Sequence, residues 1–438
     1  MLKHIAVVCC AVVLGARSLS GQEPIVPDKL TLAEAVRIAV ERNPSLTAVR
    51  SDIDIANAAR LDASQRLNPA FTFESEGYPL SQNDRPPFFS SQELTFRFDQ
   101  EIELAGRRAL RTRAADTAVE SAQARVEDAQ RLLTLEVQRA YFQAVLAAAD
   151  REVAQASLDE IDRAIGLNRS RFEEGEISGG ELRRLQVERL RFVDDVFAAE
   201  LALRNARSAL LALLNVTDLA QPFNVTEPLA PPPGPAPTPN PGAPEAVFLA
   251  TVGAQGPALA ADALTRRPDV VAAQREVLRA DTETRLQRAL RTPNVTVGGG
   301  YKRDFGTSAV VFGATIPLPL FNRNSGGVAR AEAERQQAAS RARVTEITVR
   351  LDVQRAVNAL DVNRERVQYI EREYLTRARE SRDIVLASYK LGAADLIDFL
   401  DAQRAFRDTV RTYNRALYEQ RISMFELAAA TALPPAQQ

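Results

Sequence analysis

Between Leu94 and Leu104 the chain alternates. Leu94, Phe96, Phe98, Ile102 and Leu104 fall on one side, interrupted by Gln100 alone, while Thr95, Arg97, Asp99, Glu101 and Glu103 fall on the other. This period of two predicts a strand with one apolar and one charged face. At Ala105-Gly106 the period changes, and from Arg107 onward the sequence reads as proline-free helix for about sixty residues. A strand with a charged face that runs straight into a very long helix suits a wall with lipid outside and water inside, continued as a helical tube.

The same pattern returns. Val310, Phe312, Ala314, Ile316 and Leu318 alternate, Leu320-Phe321-Asn322-Arg323 follows, and another proline-free helix begins. Asn43-Pro44 recurs as Arg267-Pro268 and Asn68-Pro69 as Thr292-Pro293, both at a spacing of 224. Phe172-Glu173-Glu174-Gly175 recurs as Tyr389-Lys390-Leu391-Gly392 at a spacing of 217. Each copy is far longer than a solenoid repeat, so the chain reads as a duplicated half-molecule.

Within the first copy, 21–221, helix is expected over 31–67, opened by the Thr31/Glu34 capping box and broken near Asn43 by Pro44. Strands are expected at about 70–78 and 93–104, with the proline-bearing segment 78–91 as a loop carrying Phe88 and Phe89. A long helix over 106–173 follows, with Val119, Val126 and Leu133 at heptad spacing. Glu174-Gly175-Glu176 and Ser178-Gly179-Gly180 mark a turn, and a return helix covers 181–214. The proline-rich stretch 222–256 reads as a connector that forms neither helix nor sheet. The second copy, 257–432, repeats the order: helix over 257–291 broken at Pro268, strands at 294–301 and 308–318, long helix over 325–389, turn at Gly392 and return helix over 394–430, then a tail at 433–438. In each copy the two shorter helices laid end to end nearly equal the long one, so they can stack beside it.

Composition narrows the setting. Residues 1–20 have a basic start at Lys3 and His4, an apolar core from Ile5 to Leu14 and a small-x-small site at Ser18-Leu19-Ser20, the pattern of a signal peptide. Cys9, Cys10 and the one histidine, His4, all lie there, so thiol chemistry, disulfides and Cys/His metal sites are not expected of the mature chain. Loss of Lys3 and Arg17 takes the formal net charge from −2 to about −4. Without a basic excess, nucleic acid is not an expected partner. Nowhere do eighteen apolar residues run together, so contact with a bilayer must come through strands. Four strands per chain cannot close, and outer-membrane barrels begin at about eight. A dimer gives a filled interior and a trimer a passage, and the face carrying Glu74, Glu76, Arg97, Asp99, Glu101 and Glu103 needs water, which favours the trimer. A general-acid reading of Glu101 and Glu103 lacks any accompanying catalytic group; a hydrated lining fits them better. Phe71, Phe73, Phe96, Phe98 and Tyr301 fit the lipid side.

The order helix, strand, strand, long helix, turn, return helix, twice over, resembles the TolC-like outer-membrane efflux proteins across essentially the whole mature chain. Gln100-Glu101-Ile102-Glu103-Leu104-Ala105-Gly106-Arg107-Arg108 and Leu318-Pro319-Leu320-Phe321-Asn322-Arg323-Asn324 are similar to segments of the CzcC-type branch associated with heavy-metal efflux. The resemblance implies a mainly α fold with a β-barrel contribution: a homotrimer forming a 12-stranded outer-membrane barrel continued by an α-helical periplasmic tunnel. It implies a periplasmic adaptor and an inner-membrane pump of the resistance-nodulation-division type as partners, with neither catalysis nor a cofactor. Asp398 and Asp401 match the family's acidic entrance ring; a plain solvated helix face is the competing reading. The family's entrance arginine is replaced by Ala393 and Ala394. Phe172, Gly175, Ser178, Gly180, Tyr389 and Gly392 are the candidate tip residues for adaptor contact. A channel for type I protein secretion and, from another class, a periplasmic adaptor are the alternatives. An adaptor would carry one hairpin and several strand-rich domains, where this chain has two hairpins and four strands.

Overall fold

The computed structural model describes residues 26–77, 92–230, 256–304 and 307–433. The expected leader at 1–20, the loop with Phe88 and Phe89, most of the connector and the last five residues of the tail lie outside the described residues.

A short β1 (Lys29–Leu30) leads into α1 (Leu32–Arg42) and α2 (Pro44–Ser64). Strands β2 (Ala70–Glu76) and β3 (Glu93–Ile102) precede α3 (Arg107–Glu173) and the return helix α4 (Gly179–Leu213). After β4 (Asn224–Val225) the order repeats as α5 (Gly256–Arg266), α6 (Pro268–Ala289), β5 (Val295–Asp304) and β6 (Thr307–Thr315). Then come α7 (Ser325–Tyr369), a π-helical segment (Ile370–Leu375), α8 (Thr376–Lys390) and α9 (Leu396–Thr431). At 1.5 Å per residue, α3 is on the order of 100 Å long.

The four long strands make one antiparallel sheet in the order β2-β3-β5-β6, so the two copies meet along β3 and β5 and the outer strands are edges. β6 stops at Thr315, short of the expected 318, because Pro317 and Pro319 cannot donate to the ladder. α2 likewise stops at Ser64, short of 67.

The duplication is visible in single hydrogen bonds. Asn43 caps α2 by accepting from Ser45 N at 2.9 Å and donates its amide to Leu213 O, at the end of α4, also at 2.9 Å. Arg267, at the equivalent place before Pro268, donates to Ala430 O near the end of α9 at 3.4 Å. In each copy the residue before the proline docks the second helix on the end of the return helix, and the two together lie along the long one.

Two expectations are corrected. The connector was expected to form no sheet, yet Asn224–Val225 pairs in parallel with Lys29–Leu30. Buried Tyr141 ties this strap to α3: its hydroxyl donates to Leu30 O at 2.9 Å and accepts from Thr226 N at 3.1 Å. The second long helix was expected to be continuous over 325–389; the π segment interrupts it. The largest core runs from this strap through Leu133, Val137, Phe142 and Leu146 of α3 to Val367, Ile370 and Ala416.

Candidate functional site

The sheet presents two unlike faces. Register aligns Phe73, Phe96, Tyr301 and Val310 in one row and Phe71, Phe98, Gly299 and Phe312 in the next. The rings pair across strands, Phe71 with Phe98 at 4.9 Å and Phe73 with Phe96 at 5.0 Å between centroids. Phe98 is 62% and Phe312 86% exposed in the single chain, so this face is apolar and uncovered. In water such a patch would be costly; in a bilayer it is the lipid-facing side of a wall.

The other face carries the charges. Arg97 pairs with Asp99 at 2.8 Å, and Lys302 pairs with Glu93 across β3 and β5. Glu101 accepts from Asn294 Nδ2 at 2.7 Å. Glu74 and Glu76 lie on the same face of β2. Glu103 does not belong to it, which corrects its place among the lining candidates. It sits past the end of β3 and binds Arg111 of α3 at 2.7 Å, with its side chain 12% exposed.

At this joint the strand turns into helix through two left-handed residues, Ala105 (φ 55°) and Gly106 (φ 67°). Arg111 also donates to Ala63 O at 3.0 Å and Gln65 O at 3.1 Å, closing the end of α2. Arg107 donates to Ala289 O and Leu290 O, each at 3.4 Å, and to Thr292 O, closing the end of α6. The cations sit where helix C-termini leave carbonyls free and the dipole is negative.

The far end is built twice over. Gly175 (φ 82°) and Gly392 (φ 74°) each end a helix in a Schellman turn. The closing bonds are Glu176 N to Arg171 O and Ala393 N to Ser388 O, both 2.8 Å. Ser178 accepts from Glu181 N at 3.2 Å in a capping box, so its hydroxyl is engaged in starting α4. Phe172 is exposed and its ring lies 3.4 Å from where a Cβ on Gly179 would stand. Gly180 lies in the first turn of α4, with the Ser178 hydroxyl beside it. Tyr389 is not a surface residue, contrary to its expected contact role. It is 5% exposed, stacks on Phe399 at 4.9 Å, accepts from Asn168 Nδ2 at 2.5 Å and holds the tips of both copies together. Burial pushes its hydroxyl above the ordinary tyrosine range.

Asp398 and Asp401 share an exposed face of α9, and Arg404 bonds Asp401 at 3.2 Å, so the acidic row is partly neutralised. Further along the same helix, Arg404 also pairs with Glu188 and Arg407 with Asp195, both on α4. The sequence reading missed these clasps. Their signal is present, Arg404 and Arg407 at a spacing of three facing Glu188 and Asp195 at a spacing of seven, but which helices meet is not written in either pair alone.

The sequence pattern of the family described as outer membrane efflux protein matches residues 35–216 and 259–433. The chain belongs to the outer membrane efflux protein family. It is 26% identical over 377 residues to the cobalt-zinc-cadmium resistance protein CzcC of Cupriavidus metallidurans, covering 86% of this chain and 83% of that one. It is also 26% identical to the nickel and cobalt resistance protein CnrC of the same organism, over 71% of this chain and 68% of that protein. Among solved structures, the outer membrane protein VceC of Vibrio cholerae superposes with a TM-score of 0.73 at 19% identity, covering 91% of this chain and 95% of that one. As a member of this family, the protein is an outer-membrane efflux channel of TolC-like fold, with its tunnel extending into the periplasm. Among the described residues no helix is long and apolar enough to cross a membrane.

Proposed function

We propose that three copies of this efflux protein close a 12-stranded barrel and form the passive exit duct for metal cations. A resistance-nodulation-division pump in the inner membrane and a periplasmic adaptor would deliver them. One observation carries the reading: a four-stranded sheet with an exposed apolar face, a charged face and two unpaired edges. Such a sheet is unsatisfied in lipid until its edges find strands of other copies. Cation cargo is supported by the charged face, where Glu74, Glu76, Glu93, Asp99, Glu101 and Asp304 outnumber Arg97 and Lys302. An acidic lining favours cations. The metal-resistance names of CzcC and CnrC point the same way.

A strain deleted for this protein, titrated with cobalt, zinc, cadmium and copper salts and separately with dyes, detergents and antibiotics, tests it. Selective sensitivity to metals, restored by the wild-type chain, is expected. Sensitivity to organic compounds alone would reject metal cargo, and missing secreted proteins would point to type I secretion instead.

A further inference from the structure

On the charged face, the level of Arg97 and Asp99 differs from the rest. Two adjacent rows read Thr72, Arg97, Gly300, Val311 and Ala70, Asp99, Gly298, Gly313. Three positions have no side chain, so Arg97 and Asp99 are the only large groups there. The Arg97 side chain does not stand off the sheet. It runs sideways over β5 toward β6. A Cβ on Gly298 would lie 2.9 Å from its Nε and would overlap Asp99 Oδ1, and one on Gly313 would lie 3.4 Å from a terminal guanidinium nitrogen. Gly300 answers to the backbone, since a Cβ there would overlap the Phe96 carbonyl. Gly298, by contrast, makes room for side chains only, and at Gly313 a Cβ would come into van der Waals contact with the guanidinium. Asp99 Oδ1 is covered from solvent and meets Arg97 at 2.8 Å as an ion contact without an aligned hydrogen bond.

We propose that Arg97 is a selectivity-determining residue of the channel, clamped flat by Asp99 in a trough formed by Gly298 and Gly313 so that it neither narrows the passage nor opposes cations. This rests on the channel reading above. Clamped, the guanidinium is neutralised at the wall and the acidic excess of the neighbouring rows sets the preference for cations. Released, it stands into the passage in every copy, a ring of positive charge at a level where the other side chains are no larger than Thr72 and Val311. The glycines are then there for the width and sign of the bore, and a substitution that lifts the pair changes transport without changing any charge.

The full-length protein in planar bilayers under a potassium chloride gradient tests this through single-channel conductance and reversal potential. Gly298→Ala keeps every charge and lifts the pair; Asp99→Asn releases the arginine with nearly the same shape. Each is expected to lower conductance about 1.5-fold or more and to move the reversal potential away from cation preference. Adding Arg97→Ala to either variant is expected to abolish both effects. The proposal is overturned if Gly298→Ala and Asp99→Asn conduct as the wild type does, or if the added Arg97→Ala leaves their effects in place. A wild-type protein that passes no current would overturn the channel reading, and this inference with it.

Discussion

Asp150 shows what one misplaced charge does inside the tunnel wall. Burial pushes its carboxyl above the ordinary aspartate range, against the Asn414 amide at 3.3 Å and the fields of Arg411 and Arg415. A carboxyl with a raised native pKa supports folding fully only below its unfolded pKa, and that support is lost as pH rises through the native value. Asp150→Asn should therefore raise the thermal midpoint near pH 7, and the gain should vanish as pH falls below the ordinary aspartate range. Melting curves of the detergent-solubilised protein at the two pH values check this. At this scale the sequence showed which residues were unusual but not which way they faced. Tyr389 looked like a surface landmark because it repeats Phe172, yet Phe399 beyond the turn and Asn168 of the other copy, 221 residues away, cover it. Gly175 and Gly392 were legible, because a left-handed turn after a long helix has few alternatives to glycine.

Element types followed from period: two for the strands, 3.6 for the helices. Element ends followed less well, because distant residues set several of them. The end of α6 is closed by Arg107, 182 residues earlier for its bond to Ala289, and the end of α2 by Arg111. No local window contains that information. Arg107→Met should leave those carbonyls unpaired near the helix dipole and destabilise the barrel–tunnel joint by roughly 2 kcal/mol. Thermal unfolding followed by circular dichroism measures it, and an unchanged midpoint would show that water replaces the arginine. The strap of β1 and β4 was hidden for a related reason: two-residue strands carry no period, and a neighbouring proline run masked Asn224–Val225.

Across the whole molecule, the duplication was the most legible feature, because spacings of 224 and 217 survive even where the residues differ. What the pattern could not supply was the meeting of the copies along β3 and β5, which leaves β2 and β6 as edges on opposite sides of the sheet. Those edges are too far apart in one chain to meet. With both native cysteines confined to 1–20, a cysteine on β2 can be combined with a series along β6. Oxidised membranes should then yield covalent dimers and trimers at a subset of the β6 positions. Monomers at every position would rule out closure between copies. The two long helices also differ mechanically. α3 is an unbroken rod from the joint to the tip, whereas its counterpart is interrupted at Ile370–Leu375, where the backbone ladder widens to π spacing. A rod passes torque along its length; a rod with a soft collar yields there first. Strain applied at the tip of the second copy would be absorbed at that collar, and the strands above it would keep their register while the lower half of the hairpin swings.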